Sequence, residues 1–255
     1  LELRRDGGQF VTVDLIRDRI ELAAVDSSVN VAPNGTKVGY IRLKQFNANA
    51  AKDMRNAITE LSGDGVSGFV LDLRSNPGGL LMASVEIARQ WLDEGVIVSS
   101  STRDGVSDVK RASGRALTQA PLVVLVNEGS ASASEILSGA IQDNNRGVVV
   151  GKKTFGKGLI QSVRGLSDGS GMTVTIAKYL TPSGKDIHKQ GITPDVNANL
   201  SKAQAQRLKF EDLGTRNDPQ YRVAESELAK LLRQNNAKPE VSFDGEVQLD
   251  VLSTN

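Results

Sequence analysis

Two short stretches, GFVLDLRSN (68–76) and PLVVLVNEG (121–129), limit what this chain can fold into more than anything else in it. Each is an almost unbroken apolar run, without the alternation of a strand wetted on one face. Such runs suit strands buried on both faces, as in a parallel sheet with helices on either side. Each also ends in small residues, PGG at 77–79 and Gly129 followed by alternating Ser and Ala, and then enters a helical pattern. Strands alternating with helices imply a βαβ core with right-handed crossovers.

The remaining segments fit around that core. VGYIRLKQF (38–46) predicts a strand after the loop APNGTK (32–37), and residues 49–65 an amphipathic helix opened by Asn49 and closed in a glycine-containing loop. LLMASVEIARQWLDEG (80–95) is a second helix. RGVVVGKKTFGKG (146–158) reads as a strand and a glycine-rich loop, and LIQSVRGL and MTVTIAKYLTP, joined by SDGSG, as a hairpin. Residues 1–22 predict another hairpin, with turn chemistry at Asp6-Gly7-Gly8 and alternation at Val11, Val13 and Leu15. Beyond residue 200 the chain is more polar. One exposed helix is expected over 218–234, and VSFDGEVQLDV adds strands. No internal repeat is visible.

Composition removes several classes of function. A chain of 255 residues holds one large domain or two modest ones. A net charge of +1 with no dense Lys/Arg stripe argues against nucleic acid as a partner. No apolar run is long enough to span a bilayer. The opening LELRRDGG is no signal peptide, although a precursor could have carried one. Without cysteine there is no disulfide, thiol nucleophile or zinc–thiolate site, and with His188 as the one histidine a His-cluster metal site is impossible.

The candidate chemistry lies in VNEGSASASEIL (126–137), where Ser130, Ser132 and Ser134 stand at a predicted helix start. Unpaired backbone N–H groups there favour negative charge and suit a tetrahedral oxyanion. The commoner role of such a serine is an N-cap. Spacing alone does not choose between Ser130 and Ser132. A serine nucleophile needs a base. His188 lies in a loop-like stretch and is expected to be a solvent-exposed polar residue. The other base is a lysine, protonated at its ordinary pKa of about 10.4 and useful only when burial lowers it. Lys157, in TFGKGLIQ (154–161), has glycines on both sides, with Phe155 and Leu159 close by, whereas Lys152 and Lys153 read as a solvated doublet. On a strand, Lys157, Leu159 and Gln161 point the same way, so Gln161 can hold the amine without adding charge. The turn RSNPGG (74–79) offers backbone donors at a strand's C-terminal end, where open α/β sheets bind ligands.

The segments GYIRLKQF, FVLDLRSNPGGLL, VNEGSASASEIL, GKKTFGKGLIQSV and SGKDIHKQGITPD occur in this order. Over residues 1–200 the chain resembles the carboxy-terminal processing proteases, the tail-specific Ser/Lys endopeptidases of family S41. FEDLGTRNDPQY further resembles the tail of their cyanobacterial and chloroplast members. The resemblance implies an α/β fold, a crotonase/ClpP-like ββα protease core. It implies the last strands of a PDZ domain over 1–24, the core over 25–200 and a mixed C-terminal extension over 201–255. It places the nucleophile at Ser132, the general base at Lys157, the lysine-orienting residue at Gln161 and the oxyanion donors at the amides of Gly78 and Ala133. Asp143 matches a supporting position three helical turns from Ser132, where its ordinary role is a structural partner, to Arg146 or to a polar helix end.

The implied activity is serine endopeptidase cleavage near protein C-termini through an acyl-enzyme, with no cofactor and no metal. The implied partners are proteins with exposed tails, membrane-associated ones among them, met in the periplasm or thylakoid lumen. Two other readings stand beside it. One is a ligand-binding protein, since eye retinoid-binding proteins resemble this core. The other is acyl-CoA chemistry on a crotonase core, for which SNPGG lacks the acidic residues.

Overall fold

The computed structural model describes residues 1–16 and 23–236. The first elements are a short hairpin, β1 (Glu2–Arg4) with β2 (Phe10–Thr12), then β3 (Val25–Val31), β4 (Lys37–Leu43), α1 (Ala50–Gly63), β5 (Gly68–Asp72) and α2 (Leu81–Trp91). There follow β6 (Val96–Thr102), β7 (Gly105–Arg111), β8 (Leu122–Val126), α3 (Ala133–Asp143) and β9 (Val148–Gly151). The chain continues through β10 (Leu159–Gly165), β11 (Gly171–Leu180), β12 (Val196–Asn197), α4 (Lys202–Arg207) and α5 (Pro219–Asn236). The expected strands in VSFDGEVQLDV, and the end of the expected hairpin over 1–22, lie outside the described residues.

The main sheet has the order β12-β9-β8-β5-β4-β3, parallel throughout except for β3 against β4. Alternation along its strands assigns each face. Ile41, Leu43, Phe69, Leu71, Leu122, Val124, Val126 and Val149 pack with α1, α2 and α3. Val38, Tyr40, Val70, Val123, Leu125 and Val150 pack with α5. Both faces are therefore dry, which is why β5 and β8 read as continuous apolar runs. The seal on the first face includes Trp91, fully buried, its ring edge-on to Phe69 with centroids 5.3 Å apart.

The helix expected to be exposed over 218–234 is half core. Tyr221, Ala224 and Leu228 are fully buried, and Tyr221 meets Tyr40 edge-on at 5.8 Å. Their spacing is one narrow helical stripe, and the polar residues around it masked it in the sequence. Two hairpins absent from the sequence reading complete the fold. β3–β4 turns through Asn34-Gly35, and β6–β7 through Arg103-Asp104, closed by the pair Thr102↔Gly105. β6 and β7 leave the main sheet and join β10 and β11 in a second one, ordered β10-β11-β6-β7. The expected hairpin of LIQSVRGL and MTVTIAKYLTP is β10–β11, paired from Leu159↔Lys178 to Gly165↔Gly171.

Candidate active site

Three adjacent strands of the main sheet, β9, β8 and β5, each deliver one part of the site at their C-terminal ends. β5 leads into the turn 73–79, β8 into the serine segment and α3, and β9 into the lysine loop 152–158.

Ser132 is the N-cap of α3, with φ 56° and ψ −112°. A non-glycine residue in that region carries strain on the order of 1–3 kcal/mol and persists only where its surroundings impose it. They do. Ala131 N donates to Asn76 O at 3.0 Å, Phe155 N to Ser130 O at 3.0 Å, and Ser132 N to Glu135 Oε2 at 2.9 Å. Burial separates the three serines that spacing left level. Ser130 is fully buried, its hydroxyl donating to Leu73 O at 2.7 Å and accepting from Asn127 N at 3.0 Å. Ser134 is fully buried and donates to Asn76 O at 2.9 Å. Ser132 is half-buried, and its hydroxyl makes no capping hydrogen bond.

Gly78 is pressed against this serine. At φ 97°, a Cβ on it would lie 2.7 Å from Ala131 O, 2.9 Å from Ala133 N and 2.9 Å from Ser132 Cβ. Only glycine brings the turn so close. Of the two expected oxyanion donors, the Ala133 N–H has no partner among the described residues. The Gly78 N–H donates to Asn76 Oδ1 at 2.9 Å, while the next amide, Gly79, is without a partner among the described residues.

The residue that joins the serine to the lysine loop is Glu135, which the sequence reading missed. Its buried carboxylate accepts four hydrogen bonds: Thr154 Oγ1 at 2.6 Å and Gly156 N at 2.7 Å on Oε1, Lys157 N at 2.8 Å and Ser132 N at 2.9 Å on Oε2. A buried carboxylate is tolerated when it is satisfied in this way. The signal was present: Ser132 and Glu135 have the S-x-x-E spacing of a capping box, of which the glutamate arm ties down the serine's own amide.

Lys157 is brought beside Ser132 through its backbone, but its side chain is exposed, and so is that of Gln161. Neither Ser132 Oγ nor Lys157 Nζ has a hydrogen bond among the described residues. The expected apolar burial of Lys157 is thus not met in this structure. The flanking glycines serve another end: a Cβ on Gly156 would lie 3.1 Å from Gln190 N, and one on Gly158 would strike His188 N. They let the loop 187–191 pack onto the lysine loop, with Lys189 N donating to Gly156 O at 2.8 Å. The same packing corrects the expectation for His188, which is half-buried, its Nδ1 buried without a partner among the described residues. Lys152 and Lys153 are exposed, as expected.

Asp143 ends α3, remote from Ser132. It accepts from Ser183 N at 2.9 Å, while Arg146 turns instead to the carbonyls of Trp91, Thr118 and Ala120. Burial pushes the Asp143 carboxyl up, but hydrogen bonds from Thr181 and Ser183 outweigh it and hold the group below its ordinary value.

Known proteins resemble this chain over most of its length. Residues 37–198 match the family model described as peptidase family S41. The chain is 50% identical over 210 residues to a carboxyl-terminal-processing protease of Synechocystis, covering 82% of this chain and 48% of the relative. It is 50% identical over 190 residues to the chloroplastic carboxyl-terminal-processing peptidase 3 of Arabidopsis thaliana, covering 72% of this chain and 37% of the relative. The chain thus spans about half the length, or less, of these curated relatives. A solved structure titled photosystem II D1 C-terminal processing protease superposes with a TM-score of 0.68 at 42% identity, covering 86% of this chain and 57% of that one. The fold alone is shared with an S41 protein of Bacteroides fragilis, with a TM-score of 0.67, 20% identity, and coverage of 84% of this chain and 60% of that one. The chain belongs to peptidase family S41.

Proposed function

We propose that this chain carries the catalytic core of a serine endopeptidase that cleaves proteins near their C-termini, with Ser132 as nucleophile and Lys157 as general base. The observation that carries the reading is the strained Ser132, free at its hydroxyl, with Gly78 against it and its amide sharing the Glu135 carboxylate with that of Lys157. Ser132 Oγ attacks the scissile carbonyl as its proton passes to the Lys157 amine. The oxyanion is held by the Ala133 amide and by the Gly78 turn, whose N–H must leave Asn76 to take part. Collapse expels the amine with the lysine's proton, and water then hydrolyses the acyl-enzyme. A lysine works as a base once it is desolvated; a peptide laid over Ser132 supplies that cover to the exposed side chain, and Gln161 orients it.

Residues 25–200 form the core in this reading, 1–24 the last strands of a PDZ domain and 201–255 the extension. The relatives' names, carboxyl-terminal-processing and in one case chloroplastic, support protein substrates cut at the C-terminus; in this reading the substrates have exposed tails, membrane-associated ones among them, and are met in the periplasm or thylakoid lumen. The test is cleavage of fluorescent unfolded casein by the wild-type chain and by Ser132→Ala. Cleavage lost in the variant, with folding intact, supports the reading, and equal activity in both overturns it.

A further inference from the structure

The turn that carries Gly78 begins at Arg74, and Arg74 is gripped by the far end of the chain. Its side chain is 6% exposed. It pairs with Asp72, the last residue of β5, with Asp218 Oδ2 at 2.7 Å and with Gln220 Oε1 at 3.0 Å. Asp72 is in turn bonded by the Tyr40 hydroxyl at 2.7 Å. Burial disfavours the charge on Arg74, but the two carboxylates, Asp72 foremost, outweigh it and hold the guanidinium above its ordinary pKa.

Asp218 divides its oxygens between two tasks. Oδ1 accepts from Gln220 N at 2.9 Å and Tyr221 N at 3.2 Å, capping α5. Oδ2 takes Arg74 and the Gly214 amide. Beyond Arg74 the turn is strained and tied at each step. Ser75 has φ 57°, and its amide donates to Asn127 Oδ1 at 2.7 Å. The Asn76 side chain donates to Leu43 O at 2.6 Å and accepts from Gly78 N. Strain of this kind survives only when neighbours over-determine it. Among these ties, those of Arg74 reach α5.

We propose that Asp218 is a positioning residue for the turn 74–79, acting through Arg74, so that the start of α5 is part of the catalytic unit. The inference rests on the protease reading above. Without Asp218 Oδ2 a buried guanidinium N–H loses its acceptor, and the side chain shifts to replace it. Ser75 and Gly78 follow, because they are covalently next along a turn with no slack. Displacing a donor by about 1 Å costs about a hundredfold in rate.

The test uses the full chain with Asp218→Asn. Asparagine caps a helix as well as aspartate, so α5 keeps its cap while Arg74 faces an amide. Active sites are counted by covalent titration with a serine-directed fluorophosphonate, and casein hydrolysis gives kcat per titrated serine and KM. The expected result is a ten- to hundredfold fall in kcat per site with KM within about twofold. A partial recovery is expected in Asp218→Asn/Gln220→Glu, which returns a carboxylate to the same guanidinium. A merely structural residue would lower the titrated fraction and leave kcat per site unchanged. Should Asp218→Asn fail to fold, Gln220→Met removes the other acceptor that the start of α5 gives Arg74 and is expected to lower kcat per site several-fold. Unchanged kcat per site in the folded variants, with an active wild type, overturns the inference alone. A wild type that neither cleaves casein nor labels at Ser132 overturns the protease reading, and this inference with it.

Discussion

The amides of Ser132 and Lys157 meet on one oxygen, Oε2 of Glu135, at 2.9 and 2.8 Å. The start of α3 and the lysine loop are therefore held as one body by a single buried carboxylate. Glu135→Gln is nearly isosteric but leaves one acceptor oxygen where two served, and points an NH₂ at N–H donors. It is expected to cost about 2–4 kcal/mol of stability, as for other broken buried networks. It is also expected to lower kcat about a hundredfold by letting the loop drift. Urea unfolding and steady-state kinetics check both, and a variant with wild-type values in both would refute this role.

Ser132 pays for its position in backbone strain, which glycine would relieve. Ser132→Gly is expected to abolish cleavage while raising stability by about 1 kcal/mol, or roughly 2–4 °C in Tm for a chain of this size. Ser130→Ala, which strips the part-buried Asn127 amide of its acceptor and leaves the Leu73 carbonyl with the Asn76 amide alone, is expected to go the other way, losing about 1–3 kcal/mol while a folded fraction stays active. Calorimetry on the pair separates the serine under strain from the serine that holds the turn.

Lys157→Arg is expected to be as inactive as Lys157→Ala, because arginine stays charged at any accessible pH. His188→Ala is expected to keep activity within about tenfold, since residue 188 meets the lysine loop at Gly158 through its backbone, which alanine retains. Casein hydrolysis by the three variants decides the matter: turnover retained with arginine, or lost by orders of magnitude with His188→Ala, would move the base away from Lys157.

The Asp143 carboxyl is held below its ordinary value, so its contribution to stability is present above the unfolded carboxylate range, about pH 3.9. It fades as pH falls through the lower folded value. Asp143→Asn is expected to cost about 0.5–1 kcal/mol at pH 7, the group being partly solvated. The difference from wild type is expected to shrink as pH is lowered through and below the ordinary carboxylate value. Urea midpoints at pH 7 and in acid test this, and casein hydrolysis at pH 7 should be unchanged.

The parts of this fold that were legible in the sequence are those where burial is two-sided or turn chemistry is unambiguous. GFVLD and LVVLV announced the parallel sheet because no face of β5 or β8 is wet. β3, VDSSVNV, and β6, VIVSSST, went unread because their exposed or half-exposed serines gave no clean alternation, although Asn34-Gly35 lies in one turn and Asp104, followed by Gly105, in the other. Ser132 was legible as one of three serines; what distinguishes it is that the other two are buried against backbone carbonyls, a tertiary fact. The glycines around Lys157 suggested a dry pocket, yet they answer to the 187–191 loop. Asp218 could not be linked to Arg74 from sequence, since the pair is 144 residues apart.

Since β9, β8 and β5 are neighbours, the lysine loop, the serine and the turn stand apart by the rung spacing of a β-ladder, about 4.8 Å per strand. That interval belongs to the backbone, and no side chain can alter it. The long segments between those strands are free to change in length and even to change sheets, as residues 96–111 do. Scored as activity per folded molecule, which sets aside the losses of the buried core, a saturation scan would therefore read as a barcode: three narrow dark bands, at 74–79, 129–135 and 154–158, set in wide pale intervals, with one further line at Asp218, far down the chain.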